Sequence, residues 1–243
     1  MKRTERHHLK QDQFVSTLQQ TYATIEQNSR RITAILVAIV VVAAAVGGYL
    51  WWQRHQATKA SAMLGEALIV ADAPVAPIAT TGSDTPPAGS YPTDRARLEA
   101  ALPKFIAAAE AYPRTAPGLA ARYQAASALV ALGRDEEAAK RYQEVVDLAG
   151  NGMYGRVARL GLAEVRVRQG QYEPAINTYK ELSLNATGEL PVDGVLMQLG
   201  RTYLLAGRKP EAVQSFKRIT DEFPTSPYAA EARREIDALT AGA

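Results

Sequence analysis

Three glycines, Gly133, Gly170 and Gly207, stand 37 and 37 residues apart, and each is followed at the same offsets by an alanine (Ala138, Ala175, Ala212) and an aromatic ring (Tyr142, Tyr179, Phe216). So strict a period restricts a chain to a stack of like units, none of which can bury its apolar side alone. The sequence around them is rich in alanine and leucine and has little of the alternation a strand requires, so each unit is expected to be a pair of helices. Glycine at the end of the first helix can take the left-handed conformation that stops it. The alanines allow a second helix to press closely on the first, and the rings fill the space beside them. Ahead of each glycine the first helix carries its own small residue at the crossing, in Ala125-Ala126-x-x-Leu129, Leu162-Ala163 and Leu199-Gly200-x-x-Tyr203.

An interrupted fourth unit precedes these. Met63-Leu64-Gly65-x-x-Leu68 supplies its first-helix pattern, and Ala101, Phe105 and Pro113 supply its second. Between them, residues 73–93 hold Pro74, Pro77, Pro86, Pro87 and Pro92 with Gly82 and Gly89. Such a stretch cannot be helical and has little apolar content to pack, so it reads as an extruded, disordered loop. Its functional alternative is a proline-rich ligand, although no P-x-x-P with flanking basic residues is visible. Residues 227–239 form a last helix with Arg233, Arg234, Glu235 and Asp237 on its exposed side, as the terminal caps of repeat arrays do.

The combination resembles the tetratricopeptide repeat, whose signature is Leu-Gly-x-x-Tyr followed by Ala, Phe and Pro at fixed offsets. The last unit carries it most fully, at Leu199, Gly200, Tyr203, Ala212, Phe216 and Pro224. Arg122, Arg159 and Leu196 stand where the family has an early Trp, and Gly150 and Thr187 replace the closing Pro. The period exceeds the family's usual length of about 34 residues, which implies longer links such as residues 185–191. The expected fold is all-α: a single N-terminal transmembrane helix, then a tetratricopeptide-like α-solenoid of about four helix pairs with a C-terminal capping helix.

The transmembrane helix is residues 32–52, ITAILVAIVVVAAAVGGYLWW, without a charge and bounded by Arg30 and Arg31 before and Arg54 after. A helix of that length is roughly 30 Å long, the thickness of a bilayer's hydrocarbon core. Tyr49, Trp51 and Trp52 gather at its C-terminal end, where amphipathic rings favour the headgroup region. Residues 1–31 carry six basic and three acidic side chains, while the whole chain has 28 and 25, so all the net charge of +3 lies ahead of the apolar run. The positive-inside rule places that tail in the cytoplasm and residues 53–243 outside. A cleavable signal peptide has a shorter core and a shorter leading segment, which makes a retained signal anchor the better reading. Within the tail, Phe14, Leu18, Tyr22 and Ile25 lie on one helical face, which would suit a membrane surface, a coiled-coil partner, a cytoplasmic protein or a plain inward extension of the transmembrane helix. The adjacent His7 and His8 point to different sides and read as ordinary tail residues.

No catalytic constellation emerges. Cysteine is absent and His55 is the only histidine beyond the apolar run, so Cys–His and Ser–His–Asp devices have nothing to build from. Neither HExxH, P-loop nor GxGxxG occurs. No enzyme, cofactor, metal or small-molecule substrate is therefore expected. Asp135, Glu136 and Glu137 open a second helix, where negative charge suits the dipole. The neutral balance of residues 32–243 lacks the electrostatic footprint of a nucleic-acid binder.

What remains is surface. First helices of such solenoids line a concave binding side, and the family resemblance assigns to it Tyr123, Ser127 and Val130, then Leu160, Glu164 and Val167, then Met197, Arg201 and Leu204. This mixed face lacks the lysine and asparagine pairs with which some relatives clamp a C-terminal carboxylate, and suits an extended or helical protein segment. The whole layout, a basic cytoplasmic tail, one span and a compact outer repeat array, is similar to that of the ancillary subunit of the bacterial SecYEG translocon. That resemblance implies an inner-membrane protein with its C-terminal domain in the periplasm, associating with the translocon, periplasmic chaperones or exported clients. Tyr112-Pro-Arg-Thr-Ala-Pro and Phe223-Pro-Thr-Ser-Pro also look like segments of periplasmic repeat proteins, which keeps open a scaffold role in cell division, cell-wall or outer-membrane assembly.

Overall fold

Helix-forming composition, broken only by glycine and proline at regular intervals, gives a chain of helices separated by tight turns. The computed structural model describes residues 29–76, 88–184 and 190–241, and all the regular secondary structure among them is helical. Among the described residues nine helices follow in order: α1 (Ser29–Ala71), α2 (Asp94–Ala111), α3 (Ala116–Ala131), α4 (Asp135–Ala149), α5 (Met153–Arg168), α6 (Tyr172–Leu184), α7 (Val192–Leu205), α8 (Lys209–Glu222) and α9 (Ala229–Ala241). The chain divides into two compact units, Met1–His55 and Gln56–Ala243. The tail residues Phe14, Leu18, Tyr22, Ile25, His7 and His8 fall outside the described residues, as do residues 77–87 and 185–189.

In the first unit the described residues form the beginning of α1. Its apolar side chains face away from protein, with Val40 65% and Trp51 68% exposed. The helix is long and apolar enough to cross a membrane. Trp51 stacks on His55 at 5.6 Å, and Tyr49 lies 6.4 Å from Trp52. Arg30 and Arg31 are exposed at the helix start. The helix passes residue 52 without a break, because residues 53–71 contain no proline and only one glycine.

In the second unit each of α2 to α9 packs on the next, and α3 also packs on α5. This sequential up-and-down packing is what paired repeats produce. One core cluster joins Phe105, Leu129, Tyr142, Val145 and Leu162, and takes in Ala67 of α1. A second joins Ile176, Tyr179, Leu196, Tyr203, Phe216 and Ile219, with Ala232 of α9 at its end. Ala138, Ala175 and Ala212 are fully buried, and so is Phe216; Tyr142 and Tyr179 are nearly so. Burying one such ring contributes about 1.5–3 kcal/mol. At two crossings glycine is what permits contact: a Cβ at Gly161 would lie 2.5 Å from Cζ of Tyr142, and one at Gly200 would lie 2.3 Å from Cε1 of Phe216.

The periodic glycines end their helices in one geometry. Gly133, Gly170 and Gly207 have φ of 75°, 74° and 75°. After each, the next backbone N–H closes on a carbonyl five residues back: Arg134 to Leu129 at 2.9 Å, Gln171 to Arg166 at 2.8 Å and Arg208 to Tyr203 at 2.8 Å. With the glycine N–H bonded to Val130, Val167 and Leu204 respectively, each is a complete Schellman motif. Two of the links from one pair to the next use proline instead, whereas α4 ends at Gly150 with φ 56°. Tyr112 and Phe223 end α2 and α8 at nearly equal φ,ψ (−135°, 57° and −133°, 57°), and each is followed by Pro. Thr115 then caps α3 by accepting from the Gly118 N–H at 3.1 Å.

Two features depart from the sequence pattern. Gly65 matches the crossing glycine of the interrupted unit, yet a Cβ there would meet nothing within 4 Å; Ala60 and Ala67 are the fully buried small residues of α1 instead. Second, the described ends of the proline-rich segment are clasped together. Val75 and Tyr91 form an isolated bridge, with the Ala76 N–H donating to Tyr91 O and the Tyr91 N–H to Pro74 O, both at 2.9 Å. The Arg97 guanidinium adds a bond to Ala73 O at 3.2 Å.

Candidate protein-binding surface

The nine residues assigned to the concave side lie three to a helix on α3, α5 and α7, and they sort by burial. Ser127, Glu164 and Arg201, one per helix at equivalent positions 37 residues apart, are exposed. Tyr123 and Val130 are half-buried against the first core cluster, and Leu160, Val167 and Leu204 against the second. Met197 is the exception. It is only 1% exposed and belongs to the second core cluster, so it packs the array instead of offering contact area. The reason is the register of α7, whose apolar residues are more numerous than one stripe holds, so that Val195, Leu196 and Met197 are all enclosed.

Glu164 lies near three tyrosines, of which Tyr123 is half-buried and Tyr142 and Tyr179 are buried. Tyr123 of α3 meets Tyr142 of α4 edge to face, ring centroids 5.5 Å apart and planes at 61°. The Tyr142 ring seats on Gly161, one helical turn before Glu164 on α5. Burial pushes the Tyr123 hydroxyl above its ordinary pKa, and the Glu164 charge adds to the rise. The Tyr142 and Tyr179 hydroxyls are raised for the same reasons, with Tyr123 also contributing at Tyr142 and a hydrogen bond from Ser127 opposing. Glu164 itself has its carboxyl pKa raised by desolvation, although the side chain is still reached by solvent. A carboxylate partly desolvated beside phenols that stay neutral behaves this way. Sequence spacing presented Tyr142 and Tyr179 as core fillers; only the packing of α4 and α6 beside α5 brings them to Glu164.

The neighbouring cations are otherwise engaged. Arg168, one turn beyond Glu164, pairs with Asp135 at 3.0 Å. Arg201 pairs with Glu231 at 2.6 Å. Further along, the Arg208 guanidinium lies 4.9 Å from the centre of the Tyr203 ring and bonds Glu173 and Glu211 at 2.9 Å and 2.8 Å. At the other end Arg122, in the place of the family's Trp, is buried and donates to Ala109 O at 3.1 Å and to Glu144, which also accepts from Arg141 at 3.2 Å. Among the described residues no group of His, Cys, Asp and Glu is placed to hold a metal ion.

Stacked helix pairs and Schellman turns at a fixed interval define a helical-repeat protein of the protein-interaction class. The chain belongs to the tetratricopeptide repeat-like domain family, whose model matches residues 25–187; a tetratricopeptide repeat model also matches residues 160–227. Members of this family are typically non-catalytic protein-interaction scaffolds. Among solved structures, the chain is similar to the nearly identical TPR-like repeats of a putative kinesin light chain from Podosopora anserina, with 16% identity, a TM-score of 0.52, and coverage of 59% of this chain and 77% of that one. MamA gives 14% identity and a TM-score of 0.50 over 60% of this chain and 78% of its own. A tetratricopeptide repeat protein from Parabacteroides merdae gives 18% and 0.50, over 61% of this chain and 56% of that protein. At these identities the likeness is one of fold. No curated protein matches the sequence.

Proposed function

We propose that this protein is a binding module anchored in the bacterial inner membrane by residues 32–52, with residues 1–31 in the cytoplasm and residues 53–243 in the periplasm. Its partners are proteins: the Sec translocon, periplasmic chaperones or the exported chains they handle. The observation that carries the reading is the pairing, in one chain, of an exposed 21-residue apolar helix segment with a family of interaction scaffolds. The excess of basic residues in the tail supports the orientation. The recessed face bearing Tyr123, Ser127, Val130, Leu160, Glu164, Val167, Arg201 and Leu204 is the contact surface of this reading.

The native chain has no cysteine, so single cysteines report topology without background. In spheroplasts a membrane-impermeant maleimide should label Thr225→Cys and leave Ser16→Cys unmodified until the membrane is opened; the reverse pattern overturns the orientation. A photo-crosslinker at Ser127 should then capture translocon subunits or chains in transit, while one at Lys140, exposed on α4, should capture fewer. Recovery of division or cell-wall proteins alone would remove the export assignment in favour of an envelope scaffold.

A further inference from the structure

We infer that Glu164 and the tyrosine rings around it form a subsite for an arginine side chain of the bound polypeptide. This deepens the functional reading above and rests on it. Four observations converge. First, among the described residues Glu164 forms no ion pair, although it is an exposed acid on a helix with basic neighbours. Its own-helix partner at the following turn, Arg168, is held by Asp135, and the basic residue at the equivalent place one repeat on, Arg201, is held by Glu231. The array thus leaves the Glu164 carboxylate to be neutralised from outside.

Second, the walls suit a guanidinium. The half-buried Tyr123 offers the accessible ring, held edge to face by the buried Tyr142, and a planar cation is attracted to a ring face while donating in the ring plane to an acid. Third, desolvation already disfavours the free carboxylate, which makes an incoming cation worth more than at an open surface. Fourth, the chain uses the same chemistry internally, where Arg208 lies over Tyr203 and bonds Glu173 and Glu211. An arginine fits this arrangement better than a lysine because its plane can stack and bond at once.

The test uses full-length protein in detergent with fluorotyrosine incorporated, the Tyr123 resonance being assigned with Tyr123→Phe. Two probes are titrated: N-acetyl-arginine amide and its neutral isostere, N-acetyl-citrulline amide. The expected result is a saturable shift at Tyr123 with the arginine probe, weakened roughly three- to tenfold by Glu164→Gln and equally weak for citrulline on the native protein. Equal response to both probes, no saturable response, or an unchanged arginine affinity in Glu164→Gln overturns the subsite. Circular dichroism of Glu164→Gln confirms that the variant is folded; a surface acid without a partner leaves nothing unsatisfied when neutralised. The crosslinking at Ser127 separates the two readings. Crosslinks that persist while the arginine probe fails leave the concave face intact and remove the subsite. A Glu164-dependent arginine response without crosslinks to any protein does the opposite.

Discussion

Adding one methyl group to a glycine should change sign in its effect depending on which helix crossing the glycine occupies. In a helix interior Gly→Ala is favourable by about 0.5–1 kcal/mol, because the unfolded chain has less freedom to lose. Gly65 realises that gain undiluted, since an added Cβ there meets nothing within 4 Å. At Gly161 the same Cβ would lie 2.5, 2.8 and 3.0 Å from three carbons of the Tyr142 ring, and at Gly200 it would lie 2.3, 2.7 and 2.8 Å from three carbons of Phe216. Carbon atoms settle at about 3.5–4.0 Å, so each ring must retreat by roughly 1 Å. Neither has room, with Tyr142 at 4% exposure and Phe216 at 0%. Overpacking of that kind costs about 1–3 kcal/mol. The net expectation is a gain of about 0.5–1 kcal/mol for Gly65→Ala and a change between about zero and a loss of about 2.5 kcal/mol for Gly161→Ala and Gly200→Ala. For a domain of this size each kcal/mol moves the midpoint by about 2–4 °C, well within the reach of thermal unfolding followed by circular dichroism of the full chain in detergent. The double variant Gly161→Ala with Tyr142→Leu should show positive coupling, because the shorter side chain vacates the space the methyl needs. If Gly161→Ala stabilises as much as Gly65→Ala, the helices do not approach as described and the account of the crossing is wrong.

Two further outcomes follow from the charged groups. Glu144→Ala strands the buried Arg122 cation and should cost about 1–3 kcal/mol, whereas Arg122→Met, which removes the cation itself, should cost less; urea unfolding of both variants checks the order. Glu164 has a folded carboxyl pKa raised above 4.5, so between the two values the folded protein holds a proton that the unfolded chain has released. Its contribution is therefore intact at acid pH and lost as pH rises through that window, and the facing Tyr123, Tyr142 and Tyr179 hydroxyls stay neutral throughout. The midpoint of Glu164→Gln relative to the native chain should climb across the window and then level off; a flat difference refutes the assignment.

How far the sequence spoke for the structure depended on how local each rule was. The turns at Gly133, Gly170 and Gly207 were legible because a single glycine and the two residues beside it determine a Schellman closure. The burial of Ala138, Ala175, Ala212 and Phe216 was legible because helical period and repeat period agree on their face. Gly65 was misleading: it satisfies the same short pattern, but closeness is decided by the partner helix, and here Ala67 is the residue enclosed. Met197 was assigned to the open face by analogy of position and is enclosed. The surroundings of Glu164 could not be read at all, since Tyr142 and Tyr179 reach it from helices on either side. Arg122 gave a usable hint, being a cation at a site that normally packs an indole, which calls for a buried acceptor such as Ala109 O.

The clasp between Val75 and Tyr91 makes residues 77–87 a place where the gene can be edited freely. Both ends are fixed to each other by backbone bonds and by Arg97, so no helix needs to feel what is spliced between them. Closing a loop of twice the length costs only about 0.6 kcal/mol more. Lineages can therefore lengthen, shorten or rewrite this stretch without disturbing the fold, and an affinity tag or fluorescent reporter inserted after residue 82 would leave both chain termini untouched.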